Sequence, residues 1–336
     1  MTSEMAQQAD RPSAERSSRR DVFRAMLRSG AVAGGLAIAS TSTAQTVRLS
    51  DADVLNFALN LEYLTANLFA FATTGSGISS DLQSGSTVAG AQGQATGGRR
   101  VSFVTQETQE YVAEIAADDL ARVRFLRRQL GSSAIAQPAI DLGVTPTSAF
   151  SRAAQAAGVV PAGAAFDVYA DETSFLLGAY IFGDLAVTAY KGAARLIGNK
   201  NLLDAAAGIL AVRAYNASTV RSALFAGTLI KPPAAGGLNP IAVSEQISDA
   251  RDLLDGRDAL NETLGRGPDA DQDLRTSTTA DGEIGNLSPL NSRGLAYSRT
   301  PERVLNIAYL TASAASSGGF FPAGVNGAVR TSGAAN

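Results

Sequence analysis

The sequence predicts an all-α protein: a four-helix bundle plus a loop-rich C-terminal region with a short helix. Three observations carry this. Four stretches, at about 51–73, 107–130, 171–197 and 202–229, place apolar residues at steps of three and four, the period of a helix with one buried face. The link between the second and third is long and carries Pro138, Pro146 and Pro161, so the third helix returns parallel to the second. The third and fourth are joined by the tight turn Gly198-Asn199, which makes an antiparallel hairpin.

Taken in order, the first helix starts at Ser50 or Asp51, either able to cap it, and its seam is Leu55, Leu59, Glu62, Ala66 and Phe69. Residues 74–103 are rich in Gly, Ser and Gln and predict a solvent-exposed, mobile loop. The second helix lacks Gly and Pro and ends at Leu130-Gly131. Its seam of Val112, Ile115, Leu126 and Leu130 is interrupted at the centre by Asp119 and Arg122. A short helix is expected near Ser148–Ala157.

The third helix has the seam Leu176, Ala179 or Tyr180, Gly183, Val187 and Tyr190. The fourth has Ala206, Leu210, Arg213, Asn216 or Ala217, Val220 and Leu224, and Lys231-Pro232-Pro233 stops it. Beyond residue 232 the chain turns Gly-, Pro-, Asp- and Asn-rich, with a helical pattern at Val243–Leu254 and a last helix from Pro301 to about Ala312. Asp269, Asp271 and Asp273 alternate like the start of a calcium loop but lack its Gly and closing acid, so a solvated acidic loop is expected. The tail from Ser316 is expected to be extended. The implied organisation is 1–44 as a targeting segment, 45–231 as the bundle and 232–336 as an irregular region.

Composition excludes several chemistries. The chain has no Cys and no His, which removes disulfides, thiolate sites, cysteine nucleophiles, the Ser-His-Asp triad and the commonest metal ligand. A net charge of -3 offers no electrostatic case for nucleic acid. Residues 18–24, with Arg19 and Arg20, resemble the twin-arginine export signal. The apolar run Gly30–Ala39 after it is too short to span a bilayer, and Ser42-Thr43-Ala44 suits cleavage. The expectation is an exported protein, periplasmic or at the cell surface, with no transmembrane segment in the mature chain. Either a homo-oligomer or a cell-envelope partner fits it.

The stretches LNFALNLEYLTANLF, EIAADDLARVRFLRRQLG, SFLLGAYIFGDLAVTAYKGAARLI, AAAGILAVRAYNASTVRSAL and RTPERVLNIAYL resemble exported bacterial ferritin-like proteins related to plant desiccation-associated proteins. The resemblance covers most of residues 50–320 and implies a ferritin-like bundle. Di-iron members of that fold place a Glu on the first and third helices and Glu-x-x-His on the second and fourth. Carried over residue by residue, Glu62 matches. Asp119 and Arg122 stand for the second-helix pair, Gly183 for the third-helix Glu, and Arg213 and Asn216 for the fourth-helix pair. Asp184 lies beside Gly183 but turned by about 100° on the wheel.

One ligand is kept, one shortened and four lost. Two acids and two arginines at seam positions predict a neutral buried network in which guanidinium takes the place of metal between carboxylates. From this the sequence suggests a protein that is not an enzyme and binds no cofactor, acting as a structural, protective or envelope-associated unit. The alternatives are a metal-binding oxidase or iron-storage protein, and a small-molecule binding module using room opened by Gly183.

Overall fold

The computed structural model describes residues 49–86, 90–230, 237–256, 270–279 and 282–335. Its framework is four long helices, α1 (Asp51–Thr74), α2 (Gln106–Leu130), α4 (Glu172–Ala194) and α5 (Lys200–Ile230), packed chiefly as the pairs α1/α2 and α4/α5. Between the pairs, α3 (Ala149–Ala156) lies in the crossover; α6 (Pro240–Asp255) and α7 (Pro301–Tyr309) follow the bundle.

Local chemistry sets the ends. Ser50 accepts from the Asp53 amide while the Asp53 carboxylate accepts from the Ser50 amide at 2.9 Å, a reciprocal cap that satisfies two free donors. Gly75 ends α1 at φ +83° and Gly131 ends α2 at φ +56°. Asp171 caps α4, and Asn239 caps α6 just before Pro240. Helix α4 is long and apolar enough to cross a membrane, and most of it is buried as the central helix of the bundle.

Three regions depart from expectation. The segment before α2 is not a free loop. Its backbone pairs with the crossover: the Ser86 amide donates to the Ala134 carbonyl, the Gln137 amide to Gln83, and β1 (Ala95–Thr96) runs parallel to β2 (Ile140–Asp141). The glycines that suggested mobility let two backbones touch. A Cβ on Gly93 would lie 2.2 Å from the Ala139 nitrogen.

The tail after α7 is irregular but forms core. Phe320, Phe321 and Val325 are fully buried, and Phe320 packs edge-on to Phe150 and Phe182 at 5.0 and 4.7 Å between centroids. Asn326 and Asn60 exchange hydrogen bonds, at 2.7 and 3.0 Å, which ties the tail to the middle of α1. An antiparallel pair, β3 (Arg275–Thr279) and β4 (Gly282–Gly285), was not anticipated.

Candidate functional site: the buried ion cluster at the bundle centre

Glu62 on α1, Asp119 and Arg122 on α2, and Arg213 on α5 meet at the centre of the bundle. Glu62 and Asp119 are wholly buried; Arg122 and Arg213 are 6% and 5% exposed. Arg213 lies between the two acids. Its Nε donates to Glu62 Oε1 at 3.2 Å and its Nη1 to Asp119 Oδ1 at 3.1 Å, while Nη2 reaches both Glu62 Oε2 and Thr65 Oγ1. Arg122 donates from Nε to Glu62 Oε2 at 3.1 Å and from Nη2 to Asp119 Oδ1. From α4, the Tyr190 hydroxyl closes the shell with a 2.9 Å bond to Glu62 Oε1. Two carboxylates and two guanidiniums therefore cancel in formal charge, and each bridging bond is charge-assisted.

The surroundings treat the two acids differently. Burial works to raise Glu62, but Arg213 and Arg122 outweigh it and hold its carboxyl below the usual range. Burial wins at Asp119, whose carboxyl is raised despite the same two arginines; its Oδ2 is buried without a hydrogen-bond partner. Tyr190 is raised well above the usual phenol by burial and by the Glu62 charge, so it donates rather than ionises.

The remaining candidate positions stand apart. Asn216 donates to Asp118 Oδ2 at 3.2 Å, on the outer side of Arg122. Gly183 opens no polar pocket: a Cβ there would lie 3.3 Å from the Ala217 methyl, so its role is close packing of α4 on α5. Arg19 and Arg20 lie outside the described residues.

A second cluster escaped the sequence reading. Arg221, Arg251 and Arg299 are at most 2% exposed and alternate with Asp184, Asp271 and Asp255. Arg221 donates to Asp184 at 2.6 Å, Arg251 lies 2.7 Å from Asp271 without good hydrogen-bond angles, and Arg299 reaches Asp255 at 2.7 Å and Asp271. This chain of ions joins α4, α5, α6 and the segment before α7. The expectation of a solvated acidic loop around Asp271 is corrected here: Asp271 is 3% exposed and paired with arginine, and Asp269 lies outside the described residues. The Arg299 carbonyl presses on α4, where a Cβ on Gly192 would stand 1.7 Å from it. The available sequence signals were Asp184 next to the ligand position and Arg221 eight residues after Arg213.

A di-metal centre, the group the fold implies, does not fit these residues. Divalent iron or manganese needs several carboxylate or imidazole donors. Among the described residues no group of three or more His, Cys, Asp or Glu side chains could hold one. At the bundle centre, moreover, Glu62 and Asp119 are both engaged by guanidinium.

Comparison with known proteins places the chain. It is 26% identical over 279 residues to the desiccation-related protein PCC13-62 of Craterostigma plantagineum, covering 81% of this chain and 82% of that protein. It is 24% identical over 283 residues to the ferritin-like catalase Nec2 of Nesocodon mauritianus, covering 83% and 85%. The second match corrects one expectation. A relative alignable over nearly the same length carries a catalase's name, so the loss of metal-ligand positions does not license the reading that this chain is not an enzyme. The model of the family described as "Ferritin-like domain" matches residues 50–226, from the cap of α1 to near the end of α5 and just over half of the chain. The chain belongs to the ferritin-like domain family.

Proposed function

We propose that the protein is an exported, desiccation-related type of ferritin-like protein that acts as a protective or envelope-associated unit, with its bundle centred on an ion cluster instead of a metal pair. The observation that carries this is Arg213, whose guanidinium bridges Glu62 and Asp119 at the position where the ferritin-like resemblance implies a metal ligand. Similarity to the desiccation-related plant protein along most of the chain supports the desiccation-related part of this reading.

Export rests on the Arg19-Arg20 pair and the short apolar run after it. Removing residues 1–44 takes away six arginines and four acids and leaves a net charge of -5. Replacing both arginines with lysine should leave an uncleaved precursor in the cytoplasm. Normal export and processing of that double variant would remove the envelope role.

A second reading, peroxide disproportionation, is favoured by the match to a ferritin-like catalase. It is tested by oxygen evolution from hydrogen peroxide, with the protein prepared in iron- and manganese-supplemented medium. Oxygen evolution that disappears in Glu62→Ala, with circular dichroism showing the fold intact, would assign the reaction to the bundle centre. No evolution above a protein-free control would end this reading.

A further inference from the structure

We propose that the outward face of α2 is a homodimer interface, pairing antiparallel with α2 of a second copy about a two-fold axis at Ala117. The stripe Glu110, Ala113, Ala117, Ala121, Arg124 and Arg128 is exposed throughout. At about 100° per residue its members all fall within about 40° of Ala117, so they share one line along the helix.

Apart from Arg128, whose mirror position holds the uncharged Gln106, the stripe is symmetric in position and opposite in charge. Ala113 and Ala121 stand four residues either side of Ala117, and Glu110 and Arg124 seven residues, about 10.5 Å along the axis. Antiparallel pairing about Ala117 sets each Glu110 opposite Arg124 of the partner subunit, and each Ala113 opposite Ala121 of the partner subunit. Parallel pairing would set like charges together. The three alanines at the centre let the helix axes approach to about 8 Å. An acidic start and basic end also suit a lone helix dipole. That explanation does not account for the charges flanking an exposed alanine line at equal distances.

The neighbouring helix gives independent support. Between residues 205 and 227 of α5 the charged side chains are Arg213 and Arg221, both buried. Its outward residues Ala207, Gly208, Ala211 and Tyr215 therefore present an uncharged surface, with Tyr215 70% exposed. A groove of about 380 Å³, lined by Ala121 and Phe125 of α2 and Gly208 and Val212 of α5, opens between the two helices. Two helix widths over a length of about 30 Å offer about 600 Å² per subunit, close to the ~800 Å² of a standard interface. A second copy is the partner that matches the charge pattern of the stripe, because the stripe is complementary to itself.

The absence of cysteine makes the test position-specific. A residue on the two-fold meets its own copy, and a disulfide needs Cβ atoms about 3.5–4.5 Å apart. Ala117→Cys should therefore give a disulfide-linked dimer on mild oxidation. Ala113→Cys alone should not, and the pair Ala113→Cys with Ala121→Cys should. In sedimentation of the full chain, Glu110→Arg should weaken dimerisation about tenfold or more, since it sets like charges together at two symmetric sites. Adding Arg124→Glu should restore it, with unchanged circular dichroism showing that the fold is intact. A wild-type chain that stays monomeric would overturn the proposal and leave the face to a different partner. Cross-linking of Ala113→Cys as readily as Ala117→Cys, or a Glu110→Arg dimer of undiminished affinity, would overturn it as well.

Discussion

Arg213→Met should lower the unfolding free energy by about 3–5 kcal/mol, the range for leaving one partner of a buried ion pair uncompensated. Glu62 and Asp119 are both completely buried, so neither can turn to water when the guanidinium is removed. The same argument applies to Glu62→Gln, which strands Arg122 and Arg213 with one acid between them. Replacing all four residues with Leu or Met of suitable volume should cost far less than the sum of the single changes, because the penalty of burying ions disappears with the ions. Denaturant melts of Arg213→Met, Glu62→Gln, the double and the quadruple variant read this directly. Small additive losses of at most about 1 kcal/mol each, as for exposed pairs, would mean that these side chains do not act as one cluster.

Arg299→Met should be comparably costly, about 3–5 kcal/mol, for the same physical reason at a different place. Arg299 is 1% exposed, and its removal leaves the buried Asp255 without its arginine and Asp271 with Arg251 alone. Because it also bonds to Thr188 on α4, the loss should loosen the C-terminal region from the bundle, seen as faster amide exchange in α6 and α7. Exchange that stays unchanged there, with a loss below about 1 kcal/mol, would contradict a clamping role.

This cluster should also give the wild-type protein a pH dependence. Burial raises Asp255 to about 7, with Asp271 adding to the shift and Arg299 opposing it. A carboxyl raised on folding stabilises most below its unfolded value near 3.8, and that contribution is lost as pH rises toward 7. Asp119, also raised by burial, works in the same direction. Glu62, held low by its arginines, works in the opposite direction and loses its contribution as pH falls below about 4.5.

The bundle and its central cluster were legible because they lie on periodic helices. A seam of steps of three and four fixes which positions share a depth, and Glu62, Asp119, Arg122 and Arg213 stood on seams near mid-helix. Periodicity could not separate Arg213 from Asn216, one turn apart, and Asn216 in fact bonds to Asp118 instead of entering the cluster. The second cluster was illegible for a related reason. Asp255, Asp271 and Arg299 come from segments without a repeating pattern, and they are brought together by contacts 28 to 44 residues apart in sequence. Composition misled in the segment 74–103 and in the tail. Gly-rich stretches look mobile, yet here glycine lets one backbone lie against another, as at Gly93 and Ala139.

The Arg213 guanidinium stands between the carboxylates of this bundle, where the ferritin-like fold implies a metal pair. The most direct test is a crystal structure of protein produced with excess iron and manganese, with anomalous maps at both absorption edges. The expected result is no anomalous peak between Glu62 and Asp119, and the Arg213 guanidinium within hydrogen-bond distance of both. A peak ligated by those two acids, with Arg122 and Arg213 turned away, would contradict it.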